Sequence, residues 1–155
     1  MVEQRDRWPE ARGALTTSAR TALTTLISLL LARRLKLAEF YWAPISSIVV
    51  LLSTSDPLTL AWQRFAGTAV GGALGAAIAS WFAPHWFVYG AGIFVCGIVC
   101  WLLRLRPAYR FAAITMTIVL LIRHPRPPAI IALHRSIEVS LGIAVALLVA
   151  AIWRN

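Results

Sequence analysis

The sequence predicts an all-α membrane protein, a compact bundle of about six transmembrane helices, and three observations predict it. The 155 residues are 59% hydrophobic and only 14% charged, whereas a soluble domain is nearer half apolar and about a quarter charged. Mean hydropathy is +0.74. The charges fall in clusters with long uncharged stretches between them, the pattern that a hydrocarbon core of roughly 30 Å imposes on segments of about 20 residues.

Residues 1–13 are polar and mixed in charge and read as a leader, with Trp8-Pro9 at an interfacial helix start. Residues 14–153 read as a single transmembrane helical module. The leader carries acids, and the first apolar run, 14–32, closes on Arg33, Arg34 and Lys36 without a small-residue cleavage site. It is therefore expected to stay as the first helix rather than leave as a signal peptide. The second segment, 41–52, opens on Tyr41-Trp42, an aromatic pair suited to the membrane interface. It is short for a span. Tilt, a break at Pro44, or continuation upstream through Leu37 to Phe40 would each account for that.

Ser53-Thr54-Ser55-Asp56-Pro57 is a break. Ser55 or Asp56 is expected to cap the next helix, with Pro57 in its first turn, where proline forfeits no helix hydrogen bond. That helix begins polar, at Gln63 and Arg64, and becomes small and apolar over residues 65–82. Gly67, Gly71 and Gly75 recur at every fourth position, and Ala69, Ala73 and Ala77 share the spacing. Such a stripe lets a neighbouring backbone approach closely, which drives association where lipid supplies no hydrophobic push. Ala83-Pro84-His85-Trp86 reads as an interfacial turn. A fourth helix follows over 87–103, then a basic loop, 104–110. A short fifth segment, 111–122, borrows residues from Ala108 onwards. The proline-rich run from Arg123 to Pro128 ends it. The last segment, 129–153, carries a second small stripe at Gly142, Ala146 and Ala150. Gln63-Arg64 and His134-Arg135 each precede a glycine by the same interval, a faint three-plus-three echo.

The formal net charge is +9, and Lys36 is the only lysine. In a soluble protein such a charge points to nucleic acid. Here the basic residues stand at the ends of apolar runs, where they anchor helices and set topology, so no nucleic-acid partner is expected. The N-terminal arginines, Arg64, the 104–110 loop and Arg154 outnumber Arg33, Arg34, Lys36, Arg123 and Arg126, so both termini are expected on the cytoplasmic side. Cys96 and Cys100, four apart in an apolar run, read as buried thiols.

Charges near apolar spans are informative, because an ion in hydrocarbon costs at least about 2.5–3.5 kcal/mol on the lenient insertion scales. Arg20, Arg64, Arg135 and Glu138 qualify. Arg20 lies about six residues into the first span; it either snorkels or pairs structurally, or it faces a substrate. Arg64 is either interfacial or functional. Arg135 and Glu138, three apart, are placed to pair locally. Alternatively, Glu138 carries protons or holds Arg135 toward a pathway. His134 shares the face of Glu138 and is either a pathway residue or a capped or interfacial histidine. Beyond Tyr41 the acids are Asp56 and Glu138 alone, so a pathway lined by the arginines would favour anions. No HExxH, Walker A or GxSxG motif and no acid pair spaced for hydrolysis occurs, so no enzyme and no cofactor is expected. Aspartates and cysteines are too few for a metal-cation transporter.

Three motifs carry a family resemblance. Tyr41-Trp42-Ala43-Pro44-Ile45-Ser46, then Gln63-Arg64-Phe65-Ala66-Gly67-Thr68 with Gly71 and Gly75, then Arg135-Ser136-Ile137-Glu138-Val139 with Gly142 occur in that order. The chain resembles the fusaric acid resistance (FUSC) or aromatic acid exporter family over about residues 14–152. The resemblance implies a six-helix module whose relatives export aromatic carboxylic acids and, in plant malate channels, pass organic anions. It also marks Arg20, Arg64, Arg135 and Glu138 as positions to test. Full-length exporters of the family carry two such modules with soluble regions, and one module is present here. A homodimer or higher homo-oligomer is therefore expected, in the bacterial inner membrane, acting on a small organic anion. The second reading is a non-transporting scaffold or anchor that assembles through its glycine-rich faces.

Overall fold

The computed structural model describes residues 7–53, 56–83, 85–122 and 126–153, and the side chains from residue 13 onwards within them. Six α-helices account for most of the described chain: α1 (Arg7–Arg34), α2 (Trp42–Leu51), α3 (Pro57–Trp81), α4 (Trp86–Leu102), α5 (Tyr109–Leu121) and α6 (Pro128–Ile152). A 3₁₀ turn, Arg106–Ala108, leads into α5. The parts of the chain numbered 1–6, with Ser55, Arg123, His124 and Arg154, lie outside the described residues, so the topology argument that used those arginines rests on sequence alone.

Helix starts follow local chemistry. Asp56 caps α3: its Oδ2 accepts the Thr59 backbone N–H at 2.9 Å and the Thr59 hydroxyl at 3.0 Å, with Pro57 as the first helical residue. α1 reaches back to Arg7, through much of the polar stretch, with Pro9 in its first turn. α2 starts at Trp42, and Pro44 lies within its first turn, where an absent N–H leaves no gap. Residues 38–41 form turns, so α2 does not continue upstream.

Burial is inverted relative to a water-soluble protein. Thr24, Ser28, Ser46, Arg64, Arg135 and Glu138 are buried, while Trp81 is 84% exposed and Phe94 71%. An apolar exterior on this scale suits lipid rather than water. Two helical stretches, Gly13–Arg34 and Pro128–Ile152, are long and apolar enough to cross a membrane. α2 has 10 residues and α5 13, about 15 and 20 Å at 1.5 Å per residue, against a core of about 30 Å. The six expected segments thus all form helices, but α2 and α5 are each shorter than a full straight span.

The two halves of the chain share one plan, laid out in opposite directions. α1 and α4 end in the same cap. Lys36 and Arg104 both take positive φ, 53° and 58°. After α1, the Leu37 N–H returns to Ala32 O at 3.1 Å; after α4, the Leu105 N–H returns to Cys100 O at 2.8 Å. The helix after each cap then packs on the long helix of the other half. Gly71 of α3 faces the Ala112 backbone of α5, and Gly142 of α6 faces the Ala43 carbonyl of α2. α3 and α5 run parallel, as do α2 and α6, and α3 crosses α6 antiparallel, with Gly72 against Ala132. Phe40 to Ser46 and Tyr109 to Thr115 match in kind at five of their seven positions, both containing Ala-x-Ile followed by a hydroxyl residue. The echo seen around Arg64 and Arg135 is one part of this inverted repeat.

A Cβ on Gly71 would overlap the Ala112 carbonyl, and one on Gly67 would crowd Ala108 O and Phe111. Both obstacles are backbone or fixed by backbone, so α5 itself would have to move. Gly71→Ala is expected to lower stability by at least the roughly 1–3 kcal/mol typical of overpacking. Thermal unfolding of the detergent-solubilised protein measures this; an unchanged melting temperature would mean that α3 and α5 are not in this register. The faces at Gly67, Gly71, Gly75 and Gly142 are therefore occupied within the chain, while Ala69, Ala73 and Ala77 stay exposed.

Candidate functional site

The three motifs, far apart in sequence, close on one another around α2. Arg135 is 2% exposed. Its Nη1 lies 3.3 Å from Glu39 Oε2, and its guanidinium carbon is 3.2 Å from the centroid of the Trp42 ring. Glu39 Oε2 also accepts the Trp42 indole N–H at 2.8 Å. Glu39 donates its own backbone N–H to Glu138 Oε1 at 2.7 Å. One unit thus joins the turn before α2 to the first half of α6.

One turn along α2, the Ser46 hydroxyl donates to Trp42 O at 2.8 Å and accepts from Arg64 Nη2 at 3.1 Å. Arg64 is 7% exposed. Its guanidinium lies over the Phe111 ring at 5.1 Å, and Arg110 lies over the same ring at 4.7 Å. Gly142 seats α6 against this turn of α2, since a Cβ there would meet Ala43 O and Ser46 Cβ. Small residues at the crossings are what let two arginines sit this deep: they bring the helices close enough for one α2 turn to contact both.

Arg135 and Glu138 share a face, but the ion pair of Arg135 is with Glu39, not the local pair the spacing suggested. At three residues' separation both side chains point inward toward α2. There the Glu39 backbone N–H takes Glu138 and its carboxylate takes the guanidinium. Three polar atoms of the cluster stay buried without a hydrogen-bond partner: Arg64 Nε, Arg135 Nε and Glu138 Oε2. Burying an ion pair is costly unless its other atoms are satisfied, so these atoms make the cluster the candidate site.

Two candidates lie elsewhere. Arg20 faces a groove of about 910 Å³ with Asp56 and Trp153, between α1, the start of α3 and the end of α6. Its Nε is likewise buried without a partner. His134 is half-buried at the edge of α6, with Nδ1 3.3 Å from Arg126 Nη1, and does not join the cluster. Sequence reasoning missed Glu39, Ser46 and Phe111. The acid had one signal: it stands three residues before a motif tryptophan, within reach of its indole.

The comparison with protein families decides the relationship. The model of the fusaric acid resistance protein-like family matches residues 25–149. The chain belongs to that family. No curated protein and no solved structure matches it. The matched stretch contains α2 to α5 whole and every residue of the Glu39–Arg135–Arg64 cluster, and leaves out Arg20. The FUSC-type protein is therefore a membrane protein of a transport- and resistance-related family, and the three motifs converge on buried arginines.

Proposed function

We propose that this FUSC-family chain is a transporter or channel subunit for organic anions, acting in efflux of aromatic carboxylic acids. It works as a homodimer or higher homo-oligomer in the bacterial inner membrane, with both termini cytoplasmic. One observation carries the reading: the three family motifs meet at two arginines, 7% and 2% exposed, inside a bundle whose outside is apolar. Arginine keeps its charge at any working pH and grips carboxylates bidentately. Intramembrane ions are expensive and are kept where a substrate or a proton uses them. Family relatives with two modules make a homo-oligomer the natural way for one module to complete a path.

Glu138 is the candidate for proton coupling. It is fully buried, and its Oε2 has no donor, so that oxygen is where a proton would reside. Glutamine fills the same volume but exchanges no proton. In cells loaded with labelled benzoate, the wild-type chain is expected to speed efflux, more so when an inward proton gradient is imposed. Glu138→Gln should retain its abundance in the membrane and lose the gradient dependence. Wild-type cells that retain benzoate as control cells do, at full membrane abundance, would contradict the transport reading.

A further inference from the structure

The inverted repeat provides an internal comparison between its two arginines. Arg135 and Arg64 occupy the same position in α6 and α3, eight and eight residues into helices that start at Pro128 and Pro57. Each lies over an aromatic ring at the start of a short helix, Trp42 of α2 and Phe111 of α5. Each precedes, by the same interval, the glycine that seats its helix on that partner, Gly142 and Gly71.

The surroundings differ in charge. Around Arg135 the protein supplies two carboxylates, Glu39 and Glu138. In the other half Ala108 stands where Glu39 does, and Gly67 where Glu138 does. Among the described residues Arg64 forms no ion pair. Its one hydrogen bond is to the Ser46 hydroxyl, its Nε is buried without a partner, and the charged side chains that act on it are the arginines Arg135 and Arg110. A buried guanidinium with cationic neighbours and no counter-ion among the described residues is costly.

We infer that Arg64, with Phe111 and Arg110, is the carboxylate-binding site of this protein, and that Arg135 is its internally neutralised counterpart, which holds α2 in place. The ligand is named by the half of the repeat that is filled: the chain satisfies Arg135 with carboxylates, so the equivalent position at Arg64 takes a carboxylate from outside. Arg110, exposed and within 4.7 Å of the same Phe111 ring, places a second guanidinium at the start of α5 beside this position. The aromatic ring that both guanidiniums contact favours an acid with a flat apolar body beside its charge. This deepens the organic-anion reading and rests on it.

Benzoate is the probe. Isothermal titration of the purified full chain in detergent is expected to show binding, weakened at least tenfold in Arg64→Gln and less in Arg64→Lys, which keeps the charge but loses the planar fork. A diazirine-substituted benzoate, photolysed on the wild-type chain, is expected to label residues 108–115 and not 39–46. This mapping needs no variant to fold. Equal benzoate affinity in wild type and Arg64→Gln, or labelling centred on residues 39–46, would overturn the assignment and leave anion transport standing. A wild-type chain that neither binds nor moves benzoate would sink both.

Discussion

Gly142→Val is expected to leave no folded protein in the membrane fraction. The position of the new side chain decides this. Even a single Cβ on Gly142 falls on the Ala43 carbonyl and against Ser46 Cβ. Neither obstacle is the movable end of a flexible side chain, so α2 would have to lift from α6. Lifting it also breaks the Glu39–Glu138 bond and the contact of Arg135 with Trp42, because those groups are carried by the same short segment. The cost is therefore the overpacking of about 1–3 kcal/mol plus the loss of a buried polar unit, enough to exceed the total stability of many domains. Fluorescence-detected size exclusion of a tagged chain checks it: Gly142→Val should run in the void or vanish, while Gly90→Val, at a helix position open to its surroundings, should keep the wild-type peak. A monodisperse Gly142→Val peak would mean that α2 and α6 do not pack in this register.

Glu39→Ala is expected to cost about 3–5 kcal/mol, the range found when one partner of a buried ion pair is removed. Arg135 would be left 2% exposed without its carboxylate, and the Trp42 indole would lose its acceptor. The same variant combined with Arg135→Met should be more stable than Glu39→Ala alone, because the stranded charge is gone. Thermal unfolding of both in detergent separates this from a simple loss of packing, in which the second substitution would only add to the damage. A Glu39→Ala protein within about 0.5 kcal/mol of wild type, as for an ordinary surface change, would show that the ion pair is not formed.

Much of this protein was readable from its residues because lipid narrows the choices. Apolar run lengths and proline breaks located all six helices, and the small stripe at Gly67, Gly71 and Gly75 marked a face that the fold uses against α5. Arg64, Arg135 and Glu138 stood out because charge is scarce in such segments. Glu39 did not, since it lies in a turn beside the basic group at Arg33, Arg34 and Lys36, where acids are unremarkable. Only the return of α6 to α2 gives it a partner 96 residues away. The local pairing of Arg135 with Glu138 was a reasonable reading of a three-residue spacing, but spacing on one helix carries no information about what a second helix offers. The inverted repeat was almost invisible for a similar reason. Its matches are in kind rather than identity, Trp42 for Phe111 and Ser46 for Thr115, and they acquire meaning only when α2 and α5 are seen doing the same job on opposite helices. Arg20, by contrast, was selected by the same scarcity rule yet sits in a separate groove, so depth in a span does not by itself assign a residue to a site.

The buried arginines of this bundle are proposed to serve an anion path. Its most direct measurement is efflux from liposomes containing only the purified chain, preloaded with labelled benzoate and with potassium. Benzoate is expected to leave faster than from protein-free liposomes while potassium stays. Benzoate retained as in protein-free liposomes, with the reconstituted protein shown to be folded and assembled, would contradict it.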